Sequence, residues 1–291
     1  MVHWFVRPSV SHLFLIGGHP IGLAASAEPV LAQSWRQFDF GGRTGLNNKV
    51  TDRIRISGKD LGVLAVNSFC PRCFWVSRKA PAGLPYQIFP GIFSSIDSYT
   101  KKVVHGWFDR KSTAPVWLTE LGPITGYIEP PHHSKFQFVD EETNILLTGA
   151  PDAIFVRGDR THLIGDYKTS RFTKNQDSLL PMYEVQLNAY ALIAEAVGIS
   201  PVSAIALIYA EPLTDQSAAD LEANHDEAGF SMGFAAKIKQ LVLNTEMVHP
   251  LLGRAREILD LQVAPSGRRG CKECEKLDGL IALIENDAQS P

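Results

Sequence analysis

NILLTGAPDAIFVRGDRTHLIGDYKTS, residues 144–170, reads as a β-hairpin. Residues 144–155 are rich in apolar and β-forming side chains, Arg157-Gly158-Asp159-Arg160 is a turn signal, and residues 161–166 run apolar again. Side chains alternate faces along a strand, so Asp166 and Lys168 point one way and Tyr167 the other. A second acid, Asp152, follows Gly149-Ala150-Pro151, where the chain can bend or bulge beside its partner strand. Two carboxylates and a lysine then converge.

Such a trio suits a hard divalent cation, because Mg²⁺ is held by one or two carboxylates together with waters and substrate phosphate oxygens. The cation polarises a phosphate and acidifies a bound water, while an ammonium orients that water or stabilises developing charge. Phosphodiester hydrolysis is the natural use of that combination. The bland alternatives are a Gly-x-x-Asp turn and a solvated Asp-x-Lys ion pair on a strand.

Taken together, Gly149-Ala150-Pro151-Asp152, Asp166-Tyr167-Lys168-Thr169 and Gln186-Leu187-Asn188-Ala189-Tyr190 form an ordered series. It resembles the G-x-x-D, D-x-K and Q-x-x-x-Y motifs of the PD-(D/E)XK nuclease superfamily, in its RecB-like branch. Cys70 and Cys73 upstream, with Cys271 and Cys274 downstream, resemble the cysteine bracket of that branch's iron-sulfur members, which include CRISPR-associated cluster-containing exonucleases and the AddB type. The resemblance implies an α/β restriction-endonuclease-like fold, a mixed sheet flanked by helices, with the cysteine centre joining the two ends of the domain. It also implies a Mg²⁺- or Mn²⁺-dependent deoxyribonuclease acting on single-stranded DNA, free ends or flaps, in repair, recombination or defence. Asp152 and Asp166 would hold the metal, with the Tyr167 carbonyl a further ligand; Lys168 would position the water, and Gln186 and Tyr190 would support the site.

The 291 residues, 45% of them hydrophobic, suffice for a sizeable core. A formal charge of -3 gives no global pull toward nucleic acid, so any DNA-binding surface is a local patch. Candidates are Lys101-Lys102, Arg110-Lys111, Arg157 with Arg160, Arg171 with Lys174, and Arg268-Arg269. Three segments are expected: an N-terminal extension over residues 1–53, a nuclease-like domain over 54–278 and a tail over 279–291. Residues 10–27 superficially resemble a secretory signal, but Gly17-Gly18-His19-Pro20 breaks the apolar run, and paired Cys-x-x-Cys motifs fit a reducing cytoplasm better. No stretch reaches the roughly 20 apolar residues of a membrane span.

Four cysteines in two Cys-x-x-Cys pairs are a strong metal signal. Ser57 is expected to cap a helix over residues 59–69 that delivers Cys70. The resemblance implies a [4Fe-4S] cluster, whereas two such knuckles are also the usual arrangement of tetrahedral Zn²⁺. The better-known members of that branch place one cysteine early and three late, and this chain has two and two.

Residues 90–108 carry an apolar stripe at helical spacing. Asp97 lies roughly 70° from its centre and His105 roughly 150°. Asp97 is therefore favoured as a third metal ligand over a solvent-facing His105, although the RecB-like branch more often uses histidine. Residues 115–131 read as irregular loops, and His132-His133 are assigned no role. A helix from Pro181 to 197, ended by Gly198, puts Tyr183, Gln186 and Tyr190 on one face. Residues 202–209 read as a buried strand and 214–230 as a loop; 234–243 and 246–261 read as helices, and the end beyond 283 as frayed. Two further classes remain open: a nucleic-acid-binding or assembly module with a vestigial site, and a metal- or redox-responsive regulator.

Overall fold

The hairpin forms, but the chain ahead of Gly149 belongs to a different sheet. The computed structural model describes residues 52–80, 91–173 and 178–287. The leader-like stretch and Pro90 lie outside the described residues. In chain order, β1 (Ile54–Ser57) leads to α1 (Gly58–Gly62) and α2 (Pro71–Lys79). The long helix α3 (Gly91–Lys111) precedes β2 (Ile124–Ile128), β3 (Gln137–Asp140), β4 (Ile145–Thr148), β5 (Ala153–Arg157) and β6 (His162–Lys168). Then come α4 (Leu180–Ala196), β7 (Val202–Pro212), the short α5 (Gln216–Ala219), and β8 (His225–Asp226) with β9 (Gly229–Phe230). β10 (Phe234–Leu241), α6 (Val248–Asp260) and α7 (Lys272–Asp287) complete the chain. No helix among the described residues is long and apolar enough to cross a membrane.

The main sheet has the order β10-β7-β6-β5-β2. β5 and β6 form the antiparallel hairpin, with Ala153 opposite Gly165 and Phe155 opposite Leu163. β6 and β7 are parallel and joined through α4, so the sheet is mixed. A second sheet, β1-β4-β3, takes up residues 145–148, which run parallel to β1 and antiparallel to β3. The expected hairpin arm over 144–155 is thus two strands, split at Gly149–Asp152.

The two-residue period of β6 explains the layering. Ile164 faces the core shared with α1, α4, α6 and the second sheet, while Leu163 and Tyr167 face the core shared with Val104 and Phe108 of α3. A strand buried on both faces reads as a continuous apolar run. α4 and α3 therefore cover opposite faces of one sheet, and both meet the hairpin.

α1 approaches α4 through glycines. A Cβ on Gly62 would lie 2.4 Å from the Met182 carbonyl oxygen, which is backbone and cannot swing aside. Gly62→Ala is expected to destabilise the protein by roughly 1–3 kcal/mol through overpacking. Gly253→Ala, on α6 with open space around it, should be neutral or stabilising by about 0.5–1 kcal/mol. Urea denaturation of both variants checks this; equal stabilities would refute the close-packing account.

Four other expectations are corrected. Ser57 caps its helix as expected, its Oγ accepting from the Asp60 N–H at 3.0 Å, but that helix ends at Gly62. From there the chain makes a 3-10 turn over Val63–Ala65 and an extended Val66 before Cys70, whose own extended geometry suits the Pro71 that opens α2. Residues 234–241 form a strand, not a helix: their Ala, Lys and Gln favour helix intrinsically, but the run pairs with β7 over its whole length. Residues 124–128, read as loop, form the edge strand β2, whose Gly126 and flanking prolines mask a five-residue strand. Residues 284–287, read as frayed, are helical, since α7 extends to Asp287.

Candidate active site and metal centre

Asp152, Asp166, Lys168, Gln186 and Tyr190 come together where the hairpin meets α4. Asp152 Oδ2 accepts a 2.9 Å hydrogen bond from the Tyr167 N–H, which pins the carboxylate against β6. Asp166 is only 3% exposed. Its Oδ1 accepts from Gln186 Nε2 at 2.9 Å, and the same amide donates to the Tyr190 hydroxyl at 3.0 Å. Asp166 Oδ2 is ion-paired with Lys168, as the shared strand face requires, although the contact is not aligned as a hydrogen bond. Lys168 Nζ also lies 4.1 Å from the centre of the Tyr183 ring. Tyr167 turns its ring into the α3-side core, and its backbone N–H reaches Asp152. Gly149 lets the chain pass here: a Cβ on it would stand 2.6 Å from the Tyr190 ring.

α3 closes the group from the other side. Asp97 is present, as expected from its place on the helix, but it does not stand alone with Asp152. Lys101, one turn later, bridges them, with Nζ 2.7 Å from Asp152 Oδ1 and 3.0 Å from Asp97 Oδ2. The sequence grouped Lys101 with Lys102 as a surface pair; their different angles on α3 separate them, and the i, i+4 relation of Asp97 to Lys101 was the available signal. His105 is not solvent-facing: it stacks on Tyr127 with ring centres 4.0 Å apart and pairs with Glu129 at 3.0 Å. Ser98, Lys102, His105, Glu129, Pro151 and Asp152 line a cleft of about 420 Å³ that opens beside Lys101.

The electrostatics are those of crowded acids. Burial, with the Asp152 charge adding to it, pushes the Asp166 carboxyl up to about 6 despite Lys168. The same two causes raise Asp97, against the opposing pull of Lys101. Burial opposes a charge on Lys101, but Asp152 and Asp97 outweigh it and raise its pKa. Three hard oxygen donors and a buried Gln186 Oε1 without a hydrogen bond make a donor set that fits Mg²⁺ or Mn²⁺. Two ammonium groups, Lys101 and Lys168, stand among the carboxylates. Among the described residues, the cysteines are the one group of three or more potential metal ligands gathered that closely.

Residues 98–277 match the family model of the PD-(D/E)XK nuclease superfamily. The chain belongs to that superfamily. The matched segment begins one residue after Asp97 and takes in Lys101, the hairpin, α4 and the second cysteine pair of this nuclease-superfamily chain. No curated protein matches it. A solved structure described as the crystal structure of SSO0001 aligns over 74% of the superfamily member and 81% of its own chain, with 13% identity and a TM-score of 0.35.

The superfamily member also carries a compact cysteine centre that joins its N- and C-terminal parts. All four Sγ atoms lie within 4.8 Å of one another. Cys70 and Cys274, Cys73 and Cys271, and Cys73 and Cys274 are each 3.5 Å apart. Burial works against ionising Cys70, but the N–H groups of Arg268 and Cys73 and the neighbouring thiols prevail and bring it down to about 6. Arg268 N–H donates to Cys70 Sγ at 3.2 Å. Burial, with the neighbouring thiols adding to it, drives Cys274 up to about 11 and Cys73 higher still. Gly267 lets the incoming loop pass, since a Cβ there would lie 2.8 Å from Cys274 Sγ. Arg72 adds a two-pronged pair with Asp278 at 3.0 and 2.6 Å, tying α2 to α7 outside the centre.

Proposed function

We propose that this chain is a divalent-metal-dependent deoxyribonuclease that cleaves DNA phosphodiester bonds at single-stranded ends or flaps. The observation that carries the reading is the Tyr167 N–H bond to Asp152, which brings that carboxylate to the same strand as Asp166 and Lys168. Asp152 and Asp166 would hold Mg²⁺ or Mn²⁺, with Asp97 and the Tyr167 carbonyl as further ligands. When bound, the cation polarises the scissile phosphate and lowers the pKa of a water. Lys168 orients the attacking water and balances charge as it develops. Gln186 fixes the Asp166 carboxylate, and Tyr190 fixes Gln186. The single-strand preference rests on the likeness to the RecB-like branch, and the compartment that suits four reduced cysteines is the cytoplasm.

The test is cleavage of end-labelled single- and double-stranded DNA with Mn²⁺, Mg²⁺ or no divalent cation. Lys168→Ala is expected to cut about 10²–10³-fold more slowly than the native chain with metal. No metal-dependent cutting by the folded native protein would overturn the assignment and favour the binding-module reading. Equal cutting by the variant would remove Lys168 from its role.

For the cysteine centre, the sulfur spacing favours a single tetrahedral ion. Zn–S bonds of about 2.3 Å in a tetrahedron put sulfurs roughly 3.8 Å apart, close to the 3.5 Å seen for three pairs. A [4Fe-4S] cube interposes its irons and sulfides and needs wider thiols. Zn²⁺ is thus preferred to the cluster implied by the family likeness. Colourless protein with one zinc per chain is the expected result; a brown protein absorbing near 400 nm would reverse the preference.

A further inference from the structure

Lys101 occupies the position that a cation between Asp97 and Asp152 would need. Its Nζ touches both carboxylates, at 3.0 and 2.7 Å. The side chains are only partly exposed, 31% for Lys101 and 16% for Asp152, so water screens this contact less than a surface pair. A divalent ion sits about 2.0–2.1 Å from its oxygens in the case of Mg²⁺, and an ammonium cannot share that space or tolerate that charge. We propose that Lys101 is a resident counter-ion that competes with the divalent cation, holding the metal-free site together and lowering its metal affinity. Lys101 and Asp152 themselves line a cleft shared with Ser98, Lys102, His105 and Glu129, so a displaced ammonium has open space to turn into. The inference rests on the divalent-metal reading of the site.

Its test uses the full chain without nucleic acid and reads Mn²⁺ alone. Electron paramagnetic resonance titration gives the affinity of native protein, Lys101→Met and Lys101→Arg, and thermal unfolding gives the Tm of each with and without Mn²⁺. Lys101→Met is expected to bind Mn²⁺ about tenfold more tightly, to have a lower metal-free Tm, and to gain more Tm on adding Mn²⁺. Lys101→Arg keeps the charge and should stay near native affinity. Lys101→Gln carries the same expectation as Lys101→Met should the apolar side chain prevent folding. Native protein that binds Mn²⁺ while the uncharged variants bind it no more tightly would overturn the inference alone. Failure of the native protein and every variant to bind Mn²⁺ would overturn the divalent-metal reading as well.

Discussion

Asp166→Asn is expected to slow metal-dependent cleavage by at least about 10³-fold while making the metal-free protein more stable at neutral pH. The two effects have one cause. Asp166 is buried under α4, and burial together with Asp152 lifts its carboxyl from the ordinary 3.8 to about 6. A rise of that size penalises the charged form by ~3 kcal/mol in the folded state. Below about pH 4 the group is protonated both folded and unfolded, and the penalty is absent. It grows as pH rises and is complete above 6, where the unfolded chain is charged and the folded chain must be too. Asparagine keeps an oxygen for Gln186 without the charge, so the variant should gain roughly 1–3 kcal/mol at pH 7.5. That gain should shrink as pH falls toward 4. Urea denaturation in divalent-free buffer at pH 7.5 and 4.5 measures it. A variant less stable than native at pH 7.5 would mean that Lys168 already neutralises Asp166 fully.

Loss of the cysteine centre has the largest expected effect on folding. Cys70 and Cys274 are 204 positions apart in sequence, so a metal joining the pairs closes nearly the whole described chain. By the chain-entropy argument a cross-link around a loop of that length restricts the unfolded state by roughly 5 kcal/mol. α7 has little else to hold it: Leu280 and Ile281 are 41% exposed and Leu283 and Ile284 more so. Cys271→Ser is therefore expected to lose the bound metal and cost about 3–5 kcal/mol, lowering Tm by roughly 10–15 °C. Limited proteolysis should then cut between α6 and α7, where native protein resists. Metal analysis with calorimetry checks the first part. A variant that loses its metal yet keeps its Tm and its protease resistance would show that the centre does not clamp the fold.

Much of the site could be read from short-range periodicity. Asp166 and Lys168 share a strand face because strand side chains repeat every second residue, and Gln186 and Tyr190 share a helix face because helical ones return after one turn. Glycine at 149 read as a bend beside the partner strand, and the Tyr190 ring packed against it was not legible there. The two Cys-x-x-Cys pairs signalled a centre before anything showed that they meet. Strand identity was less legible: residues 234–241 have helix-forming composition, and only the exposed hydrogen-bonding edge of β7 makes them a strand.

By itself, then, the chain determined the hairpin, the order of its acids and lysine, the supporting helix and the cysteine pairs, because each is set by residues a few positions apart. Tertiary structure alone decided that residues 145–148 leave for a second sheet, that His105 turns to Tyr127 and Glu129, and that Lys101 enters the acidic cluster. The first follows from pairing with β1 and β3; the other two depend on how α3 lies across the sheet. Helical periodicity gives the angle at which a side chain leaves its axis, but only packing against another element decides what that side chain meets.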